Sequence, residues 1–228
     1  MAKNLSNFER LEKSLSFMEN RACVANENYT THSHSVNACI EQAYSSYRIS
    51  NASINLMQEA LNESLKKMHD PVYQLLAGYM KKHIPEETGH DEWFLEDLAV
   101  MGVSQAEAED RIPSLNITTF IGSQYFLIKH VDPVAIMGYL ACTETHPPTV
   151  DYVNELVERS RLPKEAFNAL MHHAILDVQH KQDIIETINN MPLSEKQYKV
   201  LELSAFQTYR YVANIMDDAS KAAQATSA

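Results

Sequence analysis

His173, Asp177 and His180 form an H-x3-D-x2-H pattern. Offsets of 0, 4 and 7 residues fall within a narrow arc of one face of an α-helix, so two imidazoles and a carboxylate converge on one point. That is a ligand set for a borderline metal ion such as iron, manganese or zinc. The same offsets recur at His83, Glu87 and His90. With 30 acidic residues and 10 histidines in 228 positions, chance alone supplies about one acid-x2-His pair. This chain has two, Glu87/His90 and Asp177/His180, each with a further His four residues before its acid.

A dinuclear site in a helical protein is usually assembled from carboxylates and acid-x2-His pairs on separate inward-facing helices. The expected ligands are Glu87, His90, Glu144, His173, Asp177 and His180. Three carboxylates against two divalent ions leave about one net positive charge, and six side chains leave open coordination positions. The imidazoles favour iron or a similar ion over a hard cation, with manganese in one position an alternative that the ligand types do not decide. Glu144 has no motif of its own. It is the one acid in the apolar stretch from Val134 to Ala141 and its continuation, and a buried acid requires a metal or a cation.

Each residue also has a plainer reading. Asp177 and His180 have the polar neighbours Gln179, Lys181 and Gln182, as on a solvated face. The stripe Leu170, His173, Asp177, His180, Ile184 is nevertheless apolar at both ends and should face inward. Glu87 lies in an acidic turn with Glu86, Asp91 and Glu92, and Glu86 competes with it for the same role. His83 is expected to orient a ligand rather than to bind metal itself. His32, His34, His69, His130, His146 and His172 are expected at the surface or satisfied by hydrogen bonds. His172 is turned about a hundred degrees from its neighbour His173.

The elements that position these residues read as helices. Phe8, Leu11, Leu15, Met18 and Ala22 step by three or four, an amphipathic pattern, followed by a polar connection from Asn26 to Thr31. A long helix runs from Val36 to Met68, with a bend expected near Asn51. Asp70-Pro71 restarts the chain as N-cap and first helical residue. Pro85 should kink the next helix, which resumes through Trp93 to a cap at Gly102. Ser104 to Asp110 reads as a short acidic segment. Helices follow from Leu115 to Lys129, Val134 to Thr145 and Thr149 to Arg161. Pro163 opens the helix with the H-x3-D-x2-H pattern, and Ser194 with Gln197 is a capping box before the last one. No strand candidate survives. The expectation is an all-α single domain with about seven main helices and a frayed tail from about residue 220.

A formal net charge of −11 without a basic patch argues against nucleic-acid or anionic-membrane partners. No apolar run approaches a transmembrane span. Cys23, Cys39 and Cys142 are an odd set without paired spacing, as expected for reduced thiols in a cytoplasm. A small-molecule substrate is the expected partner, and a homodimer through an exposed helix face is compatible with the pattern.

Pro85 to Leu98, Pro133 to Glu144 and His173-x3-Asp177-x2-His180, in that order, resemble the heme-oxygenase-like diiron oxidases and oxygenases. The resemblance runs from about residue 30 to about residue 215. Some members space their first Glu and His by seven residues, a position held here by His83. The resemblance implies a seven-helix heme-oxygenase-like fold without heme and a labile cofactor of two Fe(II), with dioxygen as co-substrate. It also implies desaturation, C–C cleavage or N-oxygenation of an amino acid, amine or fatty acid, often in natural-product biosynthesis. Three other readings use the same chain: a cofactor-free, thiaminase-II-like hydrolase with Cys142 as nucleophile, heme binding through His32 or His34, and a non-enzymatic metal-binding helical protein.

Overall fold

The computed structural model describes residues 5–224, with the side chains of Asp177 and Val178 outside the description. Among the described residues there are ten α-helices and no strand. They are α1 (Asn7–His32), α2 (Val36–Leu65), α3 (Pro71–Glu87), α4 (His90–Val100), α5 (Gln105–Asp110), α6 (Leu115–His130), α7 (Ala135–Glu144), α8 (Val150–Ser160), α9 (Asn168–Asn190) and α10 (Glu195–Ala222). A 3₁₀ turn, Lys164–Phe167, precedes α9. The fold is a single all-α domain, with more helices than the expected seven because short ones join the long ones.

The helix starts follow from capping chemistry. Asp70 accepts a hydrogen bond from the Val72 amide at 2.8 Å, with Pro71 at the first helical position. Ser6, Ser104 and Ser194 each form reciprocal capping boxes, with Glu9, Glu107 and Gln197. The box at Ser104 makes a helix of the acidic segment expected to be a connection. A second departure is at Asn26 to Thr31, which continues α1. Tyr29 and Thr30 are buried there, and the hydroxyls of Thr30 and Thr31 donate to the carbonyls of Asn26 and Glu27 at 2.8 and 2.9 Å, so the polar residues satisfy themselves within the helix. A third is at Pro163, which precedes the 3₁₀ turn rather than opening α9.

Helix α10 packs along α1 and α7, while α2 lies against α3, α4 and α6. A Cβ on Gly138 of α7 would come within 2.1 Å of the Leu201 carbonyl oxygen of α10, so these two backbones meet with no room for a side chain. Gln124 of α6 is fully buried and reaches Thr208 of α10 at 3.1 Å, while Ser204 donates to it at 2.7 Å. This packing fixes α7, and with it Glu144, against the rest of the core. Helix α9 lies across α3, α4 and α7. No helix among the described residues is long and apolar enough to cross a membrane.

Candidate metal centre

Four residues from three helices converge: His83 and Glu87 of α3, Glu144 of α7 and His180 of α9. Each offers one ligand atom, and these atoms all lie within 4.8 Å of one another. His83, expected to orient a ligand, thus stands within the set. Its Nε2 is 3.1 Å from Glu144 Oε1, and its ring stacks on Tyr79 with centroids 5.0 Å apart. Glu86 sits at the rim, 3.4 Å from His83 Nδ1.

Glu87 joins this set to a second one. Its Oε1 is 3.1 Å from His180 Nδ1, and its Oε2 is 3.1 Å from His90 Nδ1. His90 is buried and lies edge-on to His173, with ring centroids 5.2 Å apart. His90 reaches this place because α3 ends at Glu87 and Gly89, at φ 94°, turns the chain into α4. That conformation suits glycine, which has no Cβ to clash. Pro85 lies inside α3, and the break between the helices comes at Gly89, two residues past Glu87. Trp93 stacks on His90 at 4.1 Å and Phe94 on His173 at 5.8 Å, so aromatic rings wall the second set. Asp177 is in α9 between His173 and His180, but its side chain lies outside the described residues.

Five of the six expected ligands are therefore described. Glu87, Glu144 and His180 meet in one set, with His90 and His173 beside them on the far side of Glu87. His172 points elsewhere, as expected, exposed and edge-on to Trp93 at 4.6 Å.

The contacts among these groups have the distances of strong interactions without hydrogen-bond alignment. Glu87 Oε1, Glu144 Oε2 and His90 Nδ1 are buried and make no hydrogen bond, although nitrogens and oxygens stand 3.1 to 3.5 Å apart. One ligand atom from each of His83, Glu87, Glu144 and His180 nevertheless lies within 4.8 Å of the others. An orphaned buried carboxylate oxygen is costly in a metal-free core, and a divalent cation would satisfy all of these atoms. The donor set fits iron.

The charges point the same way. Burial would raise the Glu87 carboxyl, but His180 and His90 outweigh it and hold the group well below the usual carboxylate range. Burial keeps Glu144 above that range despite His83. Burial pulls His83 down, yet contact with Glu144 more than offsets it and raises the imidazole above its ordinary value. A metal ion bound here would compete with protons for these groups.

Sequence reasoning misses Asp97, which is buried in α4. Its two carboxylate oxygens accept hydrogen bonds from the Asn168 and Ala169 amides at 3.1 Å. A carboxylate of one ligand-bearing helix thereby caps the first turn of the other. An acid on the apolar stripe with Trp93 and Phe94 is its only signal in the sequence.

The model of a family described as iron-containing redox enzyme matches residues 77–207, the span with all of these residues. The chain belongs to this family. No curated protein matches. Among solved structures, the chain is similar to a domain of unknown function with a heme oxygenase-like fold from Shewanella denitrificans, at 16% identity and a TM-score of 0.75, covering 95% of this chain and 93% of that one. It is also similar to a TenA homolog from Pseudomonas syringae, at 15% identity and a TM-score of 0.75 over 93% and 92% of the two chains. A TenA homologue from P. horikoshii follows at 9% identity and a TM-score of 0.65, over 96% and 100%. These likenesses establish the heme-oxygenase-like fold.

Two neighbouring chambers are present, an inner one lined by residues of the centre and an outer one that is not. The inner one, about 190 Å³, is lined by Glu87, Glu144 and His173 together with the hydroxyl-bearing Ser46, Ser53 and Thr143. The outer one, about 510 Å³, is lined by Cys142, Tyr152 and Met216 among others. Pro148 and Leu170 line both. The residues of the alternative readings make other contacts. The Cys142 thiol donates to the Ala205 carbonyl at 3.4 Å, and burial pushes it well above an ordinary thiol, the reverse of what activates a nucleophile. His32 and His34 contact the carbonyls of Asn28 and Thr31 at 2.8 and 3.1 Å. Gly138 makes room for the α10 backbone rather than for a heme.

Proposed function

We propose that this protein is a non-heme diiron oxidase or oxygenase that uses dioxygen to oxidise a small organic substrate. The observation that carries the reading is Glu87, whose two oxygens each stand 3.1 Å from a different imidazole, His180 on one side and His90 on the other. A carboxylate placed this way is suited to bridge two ions. His83, Glu144 and His180 would complete one position, and His90, with His173 and Asp177, the other. Two bound Fe(II) ions would activate dioxygen by giving it electrons, and the activated oxygen would oxidise the substrate.

The chain's own residues do the rest. Trp93 and Phe94 pack on the imidazoles and exclude water from one side. The hydroxyls of Ser46, Ser53 and Thr143 offer hydrogen bonds to a substrate in the inner chamber beside Glu87 and Glu144. Amino acids, amines and fatty acids are the candidate substrates, with desaturation, C–C cleavage or N-oxygenation the candidate reactions.

The test is dioxygen uptake by protein loaded anaerobically with Fe(II), followed with an electrode and by visible absorbance after rapid mixing. Iron-dependent uptake that a chelator abolishes is expected. Uptake without iron, or none by the loaded protein with any substrate, would contradict the reading. The TenA-like fold favours a second reading as a Cys142 hydrolase, and a thiaminase-type activity indifferent to chelators would support it.

A further inference from the structure

The two chambers that meet at Pro148 and Leu170 have a consistent chemistry from end to end. Among the described residues that line them there is no Lys or Arg. The outer chamber has one carboxylate, Glu19, on a wall that is otherwise largely apolar or neutral, including Tyr152, Val212 and Met216. Glu19 does not line the inner chamber, whose carboxylates are Glu87 and Glu144. Tyr209 lies beside it: burial first, then the charges of Cys142 and Glu19, push this phenol up. Tyr209 also engages His146, its hydroxyl 3.2 Å from Nδ1.

From this arrangement we infer that the substrate is an amine with an apolar body, its cationic head held by Glu19 in the outer chamber and its opposite end reaching the hydroxyl-lined inner chamber. An anionic head in the outer chamber would face Glu19 with no Lys or Arg to offset the repulsion, whereas an ammonium would gain a charge-assisted hydrogen bond. The apolar body gains by leaving water along Leu170, Val212 and Met216. The inference rests on the dioxygen-oxidase reading only for which end of the molecule reacts. The choice of head group rests on the chamber.

The experiment is calorimetric titration of octylamine, octanol and octanoate, one chain length with three heads, so that apolar burial is held constant. It is done with iron-loaded protein kept anaerobic and with metal-free protein. The expected result in both forms is octylamine tightest and octanoate weakest, with octylamine favoured over octanoate by roughly ten-fold or more, the scale of one hydrogen bond to a charged group. Glu19→Gln should remove most of that preference while octanol binds as before, which also shows that the variant is folded. Glu19→Lys should favour octanoate. Octanoate binding as tightly as octylamine to the parent protein, or a preference that survives Glu19→Gln, would overturn the inference. A lost preference with intact iron uptake defeats this inference alone. Lost iron uptake with an intact preference defeats the diiron reading alone.

Discussion

His172 and His173 are adjacent in sequence yet face different surroundings. The His173 ring is half-buried, edge-on to His90 and stacked on Phe94. His172 is exposed and lies edge-on to Trp93. Replacing His173 with Ala should therefore lower bound iron sharply, whereas His172→Ala should retain it. Metal analysis after gel filtration makes the comparison, and equal retention in the two variants would remove His173 from the centre. The same scale shows what could be read in advance. Glu144 was legible because it is the one acid in an apolar helix. His83 was harder to place, because sequence spacing puts its ring on the ligand face but does not say whether Nε2 reaches Glu144 or stops short of it. The placement of His90 beside Glu87 depends on the turn at Gly89, a backbone angle that spacing alone does not supply.

Between elements, the capping of α9 by Asp97 is the clearest device. Burial pushes this carboxyl up to about 7, against the pull of the Ala169 and Asn168 amides. In an unfolded chain it would titrate at roughly 3.9. Between these values the folded protein holds a proton that the unfolded one has released. The group therefore favours folding fully in acid, and that contribution is lost as pH rises through about 7. Asp97→Asn removes the dependence. The difference in Tm between variant and parent should shift in the variant's favour from about pH 5 to about pH 8, and a difference that stays constant or moves the other way would contradict the assignment. Gly138→Ala, where α7 meets α10, should cost about 1–3 kcal/mol by overpacking, as read from urea unfolding. A neutral result would mean that the close approach relaxes freely. Helix types were mostly legible at this scale, because caps such as Asp70-Pro71 and Ser194/Gln197 are local signals. The missed helix α5 and the extension of α1 came from judging Asn26–Thr31 and Ser104–Asp110 by polarity. The hydroxyl bonds of Thr30 and Thr31 and the box at Ser104 carry the helix through them.

At the scale of the whole molecule, the proposed centre draws its side chains from α3, α4, α7 and α9, so a metal bound there would staple the bundle together. Redox-inert Zn(II) at about a hundred times its Kd should add ~2.7 kcal/mol to stability, which for a chain of this size raises Tm by roughly 5–10 °C. An unchanged Tm on addition of zinc would mean that the groups do not act together. The same convergence makes the iron count of the intact chain the most direct test of the account. Protein loaded with Fe(II) without oxygen, desalted and analysed for iron, should hold about two irons per chain, as a helical dinuclear site does. Glu144→Ala should keep about one, since it touches a single position, and Glu87→Ala should lose both, since its two oxygens face two positions. One iron or none in the parent protein, or a Glu87→Ala variant that binds iron as the parent does, would contradict a centre bridged by Glu87.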